Sequence, residues 1–218
     1  MEHLLALYGL PYDPLHPVVC FDERPCFLIG DTLMPIPMKE GRPAREHYAY
    51  EKNGSCCLLM AIEPLSGKRL VMVCKQRRKQ EYAQFMEQLA GLYPDAQTIH
   101  LVQDNLNTHH GGSFYELFPA HEAFALQERF SFHYTPKGAS WLNMVEIELS
   151  AISRQCLNRR IATQDKLESE VVALVKEREQ KGIKTGSAMC KTHVCYEQAS
   201  KVAHGAHCSA YGWGQAEE

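Results

Sequence analysis

An Asn-Gly dipeptide at positions 53 and 54 separates two strand-like runs, Glu46–Lys52 and Ser55–Ile62. Few features narrow the choice of fold more. Asn-Gly supplies the positive φ angles that a type I′ turn needs, so the two runs are expected to pair as an antiparallel hairpin. A second turn, Pro64 to Gly67, leads into Lys68–Cys74, read as a third antiparallel strand. Upstream, the apolar run His16–Asp22 lies between Pro14 and Pro17 on one side and Pro25 on the other, and reads as a buried strand ending in Asp22. The stretch 30–45, with three prolines and two glycines, reads as a loop.

The period then changes. Tyr82, Phe85, Met86, Leu89 and Leu92 recur at three- and four-residue spacings, which predicts a helix over Lys79–Tyr93 that stops at Pro94. Thr98–Asp104 reads as a strand. Ser113–Arg129 reads as partly helical with a break near Pro119, and Phe130–Thr135 alternates as a strand should. Ser140–Arg159 follows as a helix whose apolar stripe is Leu142, Val145, Leu149, Ile152 and Cys156, with Ser140 as its N-cap. A polar helix over Thr163–Lys181 closes the series. Three antiparallel strands followed by two separated by helices describe an α/β fold. Its mixed five-stranded sheet, three antiparallel strands then two parallel, carries helices on both faces. Ribonuclease-H-like folds have this order, and the order by itself says nothing about chemistry.

The chemistry comes from where the acids fall. Asp22 ends the first strand. Asp104 ends the strand whose exit reads VQDNLNTHHGG, an apolar lead-in broken by a carboxylate and a crowd of polar side chains. In a mixed sheet of this order the two strands lie side by side and parallel, so both carboxylates emerge at one edge. Adjacent like charges are costly to bury, and a divalent cation that prefers hard oxygen ligands removes the conflict; Mg²⁺ is the usual choice where phosphate is the substrate. A third acid from the Ser140–Arg159 helix would complete a two-metal site. Helix geometry leaves Glu146 and Glu148 both open, because they flank the apolar stripe on opposite sides.

Asp22 within VVCFDE, Asp104 within VQDNLNTH and Glu146 within HYTPKGASWLNMVEIELS resemble the three motifs of the DDE transposases, and more narrowly the insertion-sequence branch of the mariner superfamily. The resemblance covers roughly residues 1–182. It places Leu142, Asn143 and Glu146 on the third motif and so implies Glu146, with Glu148 a bystander. It implies a catalytic domain that cleaves DNA and joins element ends to target DNA with Mg²⁺ or Mn²⁺ held by Asp22, Asp104 and Glu146. A ribonuclease-H-like endonuclease without strand transfer, and an inactive transposase remnant, remain as alternatives. DNA is the implied partner, a homodimer is compatible, and action at the nucleoid in the cytoplasm is expected.

Candidate DNA contacts are Arg42 and Arg45 in the loop, Lys75, Arg77 and Arg78 in the basic run after the third strand, and Lys137 and Asn143 in the third motif. His109 could orient a phosphate or a metal-bound water; His110 reads as a loop residue. Trp141, beside Asn143, reads either as a platform for a splayed base or as the cap of the core. A charge run is also a solvated face, and that reading of residues 75–79 stays open.

Composition adds limits. The chain has 218 residues, 45% of them hydrophobic, enough for one domain with an appendage. A formal net charge of −3 means that phosphate contacts must come from local patches. Nine cysteines without framework spacing fit reduced thiols. The N-terminus lacks a signal-peptide pattern, and no apolar run is long enough to span a membrane. Only about 15 residues precede the first strand, which leaves no room for the helix-turn-helix modules that relatives carry; such a segment is expected to be encoded separately or lost. From Lys184 onward Leu, Ile and Phe vanish while Cys190, His193, Cys195, His204, His207 and Cys208 accumulate. Residues 183–218 are therefore expected to be a divergent, poorly ordered tail, better explained by a frameshift than by zinc, since the spacing matches no standard finger.

Overall fold

The computed structural model describes residues 1–185. The Cys/His-rich segment after them, and with it the expectations about disorder and zinc, lies outside the described residues. A short helix α1 (Glu2–Tyr8) precedes β1 (Val18–Asp31), β2 (Tyr50–Ile62) and β3 (Arg69–Cys74). Then come α2 (Lys79–Gly91), β4 (Ile99–Gln103), α3 (Ala120–Glu128), β5 (Phe130–Tyr134), α4 (Val145–Gln155) and α5 (Gln164–Gln180). The five strands form one sheet in the order β3-β2-β1-β4-β5. β1 to β3 are antiparallel neighbours, whereas β4 lies parallel to β1 and β5 parallel to β4. This is the expected mixed sheet of a ribonuclease-H-like fold.

Side-chain alternation splits the core in two. Cys20, Leu58, Met60, Ile62 and Val102 point to one face, which is covered by Leu4 and Leu7 of α1, Val145, Leu149 and Ile152 of α4, and Leu167, Val171 and Val175 of α5. Val19, Phe21, Leu59, Ile99 and Leu101 point to the other, against Tyr82, Phe85, Met86 and Leu89 of α2 and Ala123 of α3. The α2 stripe is the one its spacing predicts; α1, seven residues long, is too short to show a helical period. The six cysteines among the described residues are buried and free.

Three local readings need correction. Asn53-Gly54 makes no hairpin turn: it lies inside β2, where the register with β1 slips between Phe27↔Ser55 and Ile29↔Lys52. The positive φ that the dipeptide was expected to supply is there (Gly54, φ 105°), but it serves a β-bulge. Long-range pairing with β1 along eleven registered positions outweighs the local turn preference. β1 itself runs past Asp22 and through Pro25 to Asp31. It can do so because its pairing with β4 ends at Cys20, so beyond that point one side of β1 is an open edge where a proline withholds no ladder donor. Finally, Ser140–Arg159 is not one helix capped by Ser140. A 3-10 turn (Ser140–Leu142) breaks at Asn143, whose extended backbone (φ −85°, ψ 107°) separates it from α4. The predicted stripe is nevertheless buried throughout, from Leu142 to Cys156.

Candidate active site

The β1–β4 ladder registers Val18 with His100, Val19 with Leu101 and Cys20 with Val102, and stops there. Two residues further on each strand stand Asp22 and Asp104, so the acids leave neighbouring parallel strands at the same level and the same edge. Asp22 shares the face of Cys20, toward α4; Glu23, next in line, shares the face of Phe21, toward α2.

Asp22 is half-buried. Its Oδ1 accepts the Glu23 backbone N–H at 2.8 Å. Burial pushes its carboxyl up to about 7, and the negative charges of Glu146, Asp104 and Glu23 push the same way against the single stabilising backbone N–H. Glu146, exposed in the first turn of α4, and Asp104, at the mouth of β4, are therefore close enough to be felt electrostatically at Asp22. Among the described residues no three His, Cys, Asp or Glu side chains converge tightly enough to enclose an ion. The donor set, all hard oxygens around a carboxyl held near neutrality, fits a divalent cation such as Mg²⁺ or Mn²⁺.

Asn143 sits at the break before α4, 1% exposed. Its Nδ2 donates to the Phe21 carbonyl at 2.8 Å and approaches Asp22 Oδ2 at 3.4 Å, and its Oδ1 is buried without a partner among the described residues. This side chain ties the third motif to the first. Its burial, at 1% exposure, corrects the expectation that it contacts DNA.

The two glutamates of α4 part company. Glu148 is fully buried and paired with Arg69 Nη2 at 2.7 Å and with Arg178 Nε and Nη2 at 2.9 Å each. Burial alone would raise its carboxyl, but the hydrogen bonds from Arg178 and Arg69 outweigh that and hold it below the ordinary carboxylate range. Glu148 thus welds α4 to β3 and α5. Arg69 also donates to the Ile183 carbonyl at 2.8 Å, so packing continues past residue 182.

His109 is 1% exposed, which corrects its reading as a phosphate contact. Its Nδ1 bonds Asp104 Oδ1, and its Nε2 lies 2.5 Å from Glu23 Oε2 as a close ion pair rather than an aligned hydrogen bond. Burial lowers the imidazole, but the hydrogen bonds and charges of Asp104 and Glu23 prevail and raise it to about 9. Arg77, read as a DNA contact, is half-exposed and reaches Glu23 Oε1 at 2.8 Å. Glu23 was missed in the sequence; its only signal was an acid directly after Asp22. The remaining cations, Arg42, Arg45, Lys75, Arg78 and Lys137, are exposed. Trp141 is 61% exposed, which removes it from the core and leaves the platform reading.

A pH dependence follows from Asp22. Its folded carboxyl titrates near 7 against an ordinary value of 3.8, so between about pH 4 and pH 7 the folded state holds a proton that the unfolded state has released. Folding stability from this group is present below pH 4 and is lost as pH rises toward 7. Asp22→Asn should accordingly match the parent near pH 4 and exceed it in Tm near pH 7 to 8 without divalent metal, a gap that added Mn²⁺ narrows by stabilising the parent. Thermal melts across pH check this; a gap independent of pH contradicts it.

No curated protein matches the chain. Among solved structures, the Mos1 mariner paired-end complex with Mn superposes with a TM-score of 0.56 at 15% identity over 88% of this chain and 57% of that one. The same complex with Mg gives 0.55 at 15% over 88% and 57%, and the Mos1 strand transfer complex gives 0.51 at 15% over 86% and 59%. The chain therefore spans less than two thirds of the length of these proteins, and at this identity the likeness is one of fold. The family described as DDE superfamily endonuclease matches residues 17–168, a span that opens just before β1 and takes in Asp22, Asp104 and Glu146. The chain belongs to the DDE superfamily endonucleases.

Proposed function

We propose that the chain is a transposase catalytic domain that cuts DNA and joins element ends to target DNA, with Asp22, Asp104 and Glu146 as the metal-holding catalytic acids. The observation that carries this reading is the emergence of Asp22 and Asp104 from paired parallel strands just beyond the last ladder position, with the charge of Glu146 felt at Asp22. Two bound Mg²⁺ or Mn²⁺ ions would activate the attacking oxygen and stabilise the leaving oxygen. The chain's own residues supply the frame. Asn143 fixes the third-motif break against Phe21 and Asp22, and His109 holds one Asp104 oxygen while the other stays free for an ion. The exposed Arg42, Arg45, Lys75, Arg78 and Lys137 supply phosphate contacts, and Trp141 a stacking surface.

The titles of the Mos1 structures describe paired-end and strand transfer complexes, which are states of that protein. The proposed catalytic unit is residues 1–182, and the Arg69–Ile183 contact supports a boundary slightly beyond it. The proposed DNA-reading partner is a helix-turn-helix segment, in an insertion-sequence element whose transposase acts on DNA at the nucleoid. No described helix is long and apolar enough to cross a membrane.

The test uses the purified chain, supercoiled plasmid and a labelled oligonucleotide with a free 3′-hydroxyl. Weak nicking is expected with Mg²⁺ or Mn²⁺ and none with chelator, nearly independent of sequence. It should fall by at least about 10³-fold between 50 and 200 mM salt if about six phosphates are contacted. Fusing a helix-turn-helix segment should bring preference for one pair of repeats. Covalent joining of the oligonucleotide to plasmid distinguishes a transposase from a nuclease that only hydrolyses. Nicking that survives chelation sinks the metal mechanism.

A further inference from the structure

Where the sheet's own hydrogen bonds stop, something else must hold Asp22 and Asp104 in register. The β1–β4 ladder ends at Cys20↔Val102, two residues short of both acids. Beyond it β1 continues beside β2, whereas β4 gives way to an irregular segment. The only side-chain bridge between the two exits among the described residues runs through His109, with Glu23 of β1 on its Nε2 and Asp104 on its Nδ1. On the proposed reading of the acids as metal ligands, we infer that His109 and Glu23 form one positioning unit. It clamps the two strand exits together and turns Asp104 so that Oδ1 is occupied and Oδ2 faces the metal site.

The clamp is itself rigid. The His109 ring stacks on Tyr82, centroids 5.1 Å apart and planes 24° apart, and meets the edge of Phe21 at 5.1 Å. Its backbone carbonyl accepts from Gln103 Nε2 at 2.9 Å and from the Tyr134 hydroxyl at 3.1 Å. Gln103 is in turn held by the Tyr82 hydroxyl at 2.8 Å. Side chain and main chain are therefore fixed by α2, β4 and β5 at once, and the imidazole has no freedom to follow a wandering carboxylate. The Glu23 side chain is 2% exposed, and its second oxygen is taken by Arg77 from the segment between β3 and α2. A side chain that only filled space would not need a carboxylate on each ring nitrogen. Burying this His between two acids is worthwhile where one acid must point in a fixed direction.

The clamp touches no substrate and acts through Asp104, so metal affinity is the direct readout. Mn²⁺ is titrated into the full chain by calorimetry, with Tm recorded in the absence of metal. Glu23→Gln keeps the shape and removes the charge; His109→Gln keeps most of the volume and one donor. Each should weaken Mn²⁺ binding roughly 10- to 100-fold, in a variant whose metal-free melt stays cooperative even where breaking the buried pair lowers its Tm. The double variant should bind no more weakly than the weaker single, since the two residues act as one unit. Arg77→Ala, which removes only the outer contact, should change affinity less than about threefold. Affinities for both single variants within threefold of the parent, or losses that simply multiply in the double, overturn the inference. Asp104→Asn is the companion variant: if it too retains Mn²⁺ affinity, the metal-site reading itself has failed, whereas loss in Asp104→Asn alone leaves that reading standing and removes only the clamp.

Discussion

Asp104→Asn is expected to reduce metal-dependent nicking by on the order of 10³-fold or more. The substitution preserves size and hydrogen-bonding shape and removes one negative charge at the mouth of β4. Metal-assisted phosphoryl transfer draws several kcal/mol of transition-state stabilisation from its ions, and each 1.36 kcal/mol is tenfold in rate. Asp104 is the right place to look because its folding role is small: its contacts are with His109, and it lies at the end of a strand whose packing is completed by Leu101 and Val102. The measurement is the initial rate of supercoil loss at saturating Mn²⁺, with the unfolding midpoint recorded alongside. A variant that nicks within tenfold of the parent would remove Asp104 from the catalytic set, and with it the reading of the whole edge.

Glu148→Ala should do the reverse, costing stability where Asp104→Asn costs rate. Removing this carboxylate leaves Arg69 and Arg178 with buried guanidinium groups and no counter-charge, the circumstance in which breaking a buried pair costs about 3–5 kcal/mol. For a domain of this size that corresponds to a fall in Tm on the order of 10 °C. Glu146→Gln, two residues away, should leave the melting temperature nearly unchanged and abolish nicking, because 200° around the helix axis separates the two side chains. Parallel thermal melts and nicking assays of the two variants measure this. Should Glu146→Gln unfold the protein and Glu148→Ala spare it, the roles of the two glutamates have been exchanged.

Much of the architecture was written in periodicity. The three-and-four spacing of Tyr82, Phe85, Met86 and Leu89 and the alternation of Phe130, Phe132 and Tyr134 are local patterns that the fold keeps. Local preference failed where a distant partner decided. Asn53-Gly54 has the dihedral freedom of a hairpin turn, and β2 uses that freedom for a bulge opposite β1. Pro25 would end a central strand, yet β1 has lost its β4 neighbour by then. The same divide runs through the site. The proposed acids have sequence marks: Asp104 stands where an apolar strand breaks into polar residues, and Asp22 ends a bounded apolar run. Glu146 and Glu148 were indistinguishable from helical spacing, because what separates them is a pair of arginines 79 and 30 residues away in sequence. His109 was noticed for its type and misread for its place, since its partner Glu23 is brought to it only by the pairing of β1 with β4.

The break at Asn143 has a bearing on how such a site changes over generations. Two of its acids stand on strands that also carry the core, so any drift in their position disturbs packing on both faces of the sheet. The third stands on a helix that begins afresh after a 3-10 turn and an extended residue, joined to β5 by a connection of about ten residues outside the ladder. Insertions, deletions or turn substitutions there can re-aim the third carboxylate while the other two keep their geometry. Ancestry could thus tune reach, spacing and even the choice between aspartate and glutamate at one corner of the proposed triad, leaving the inherited frame untouched.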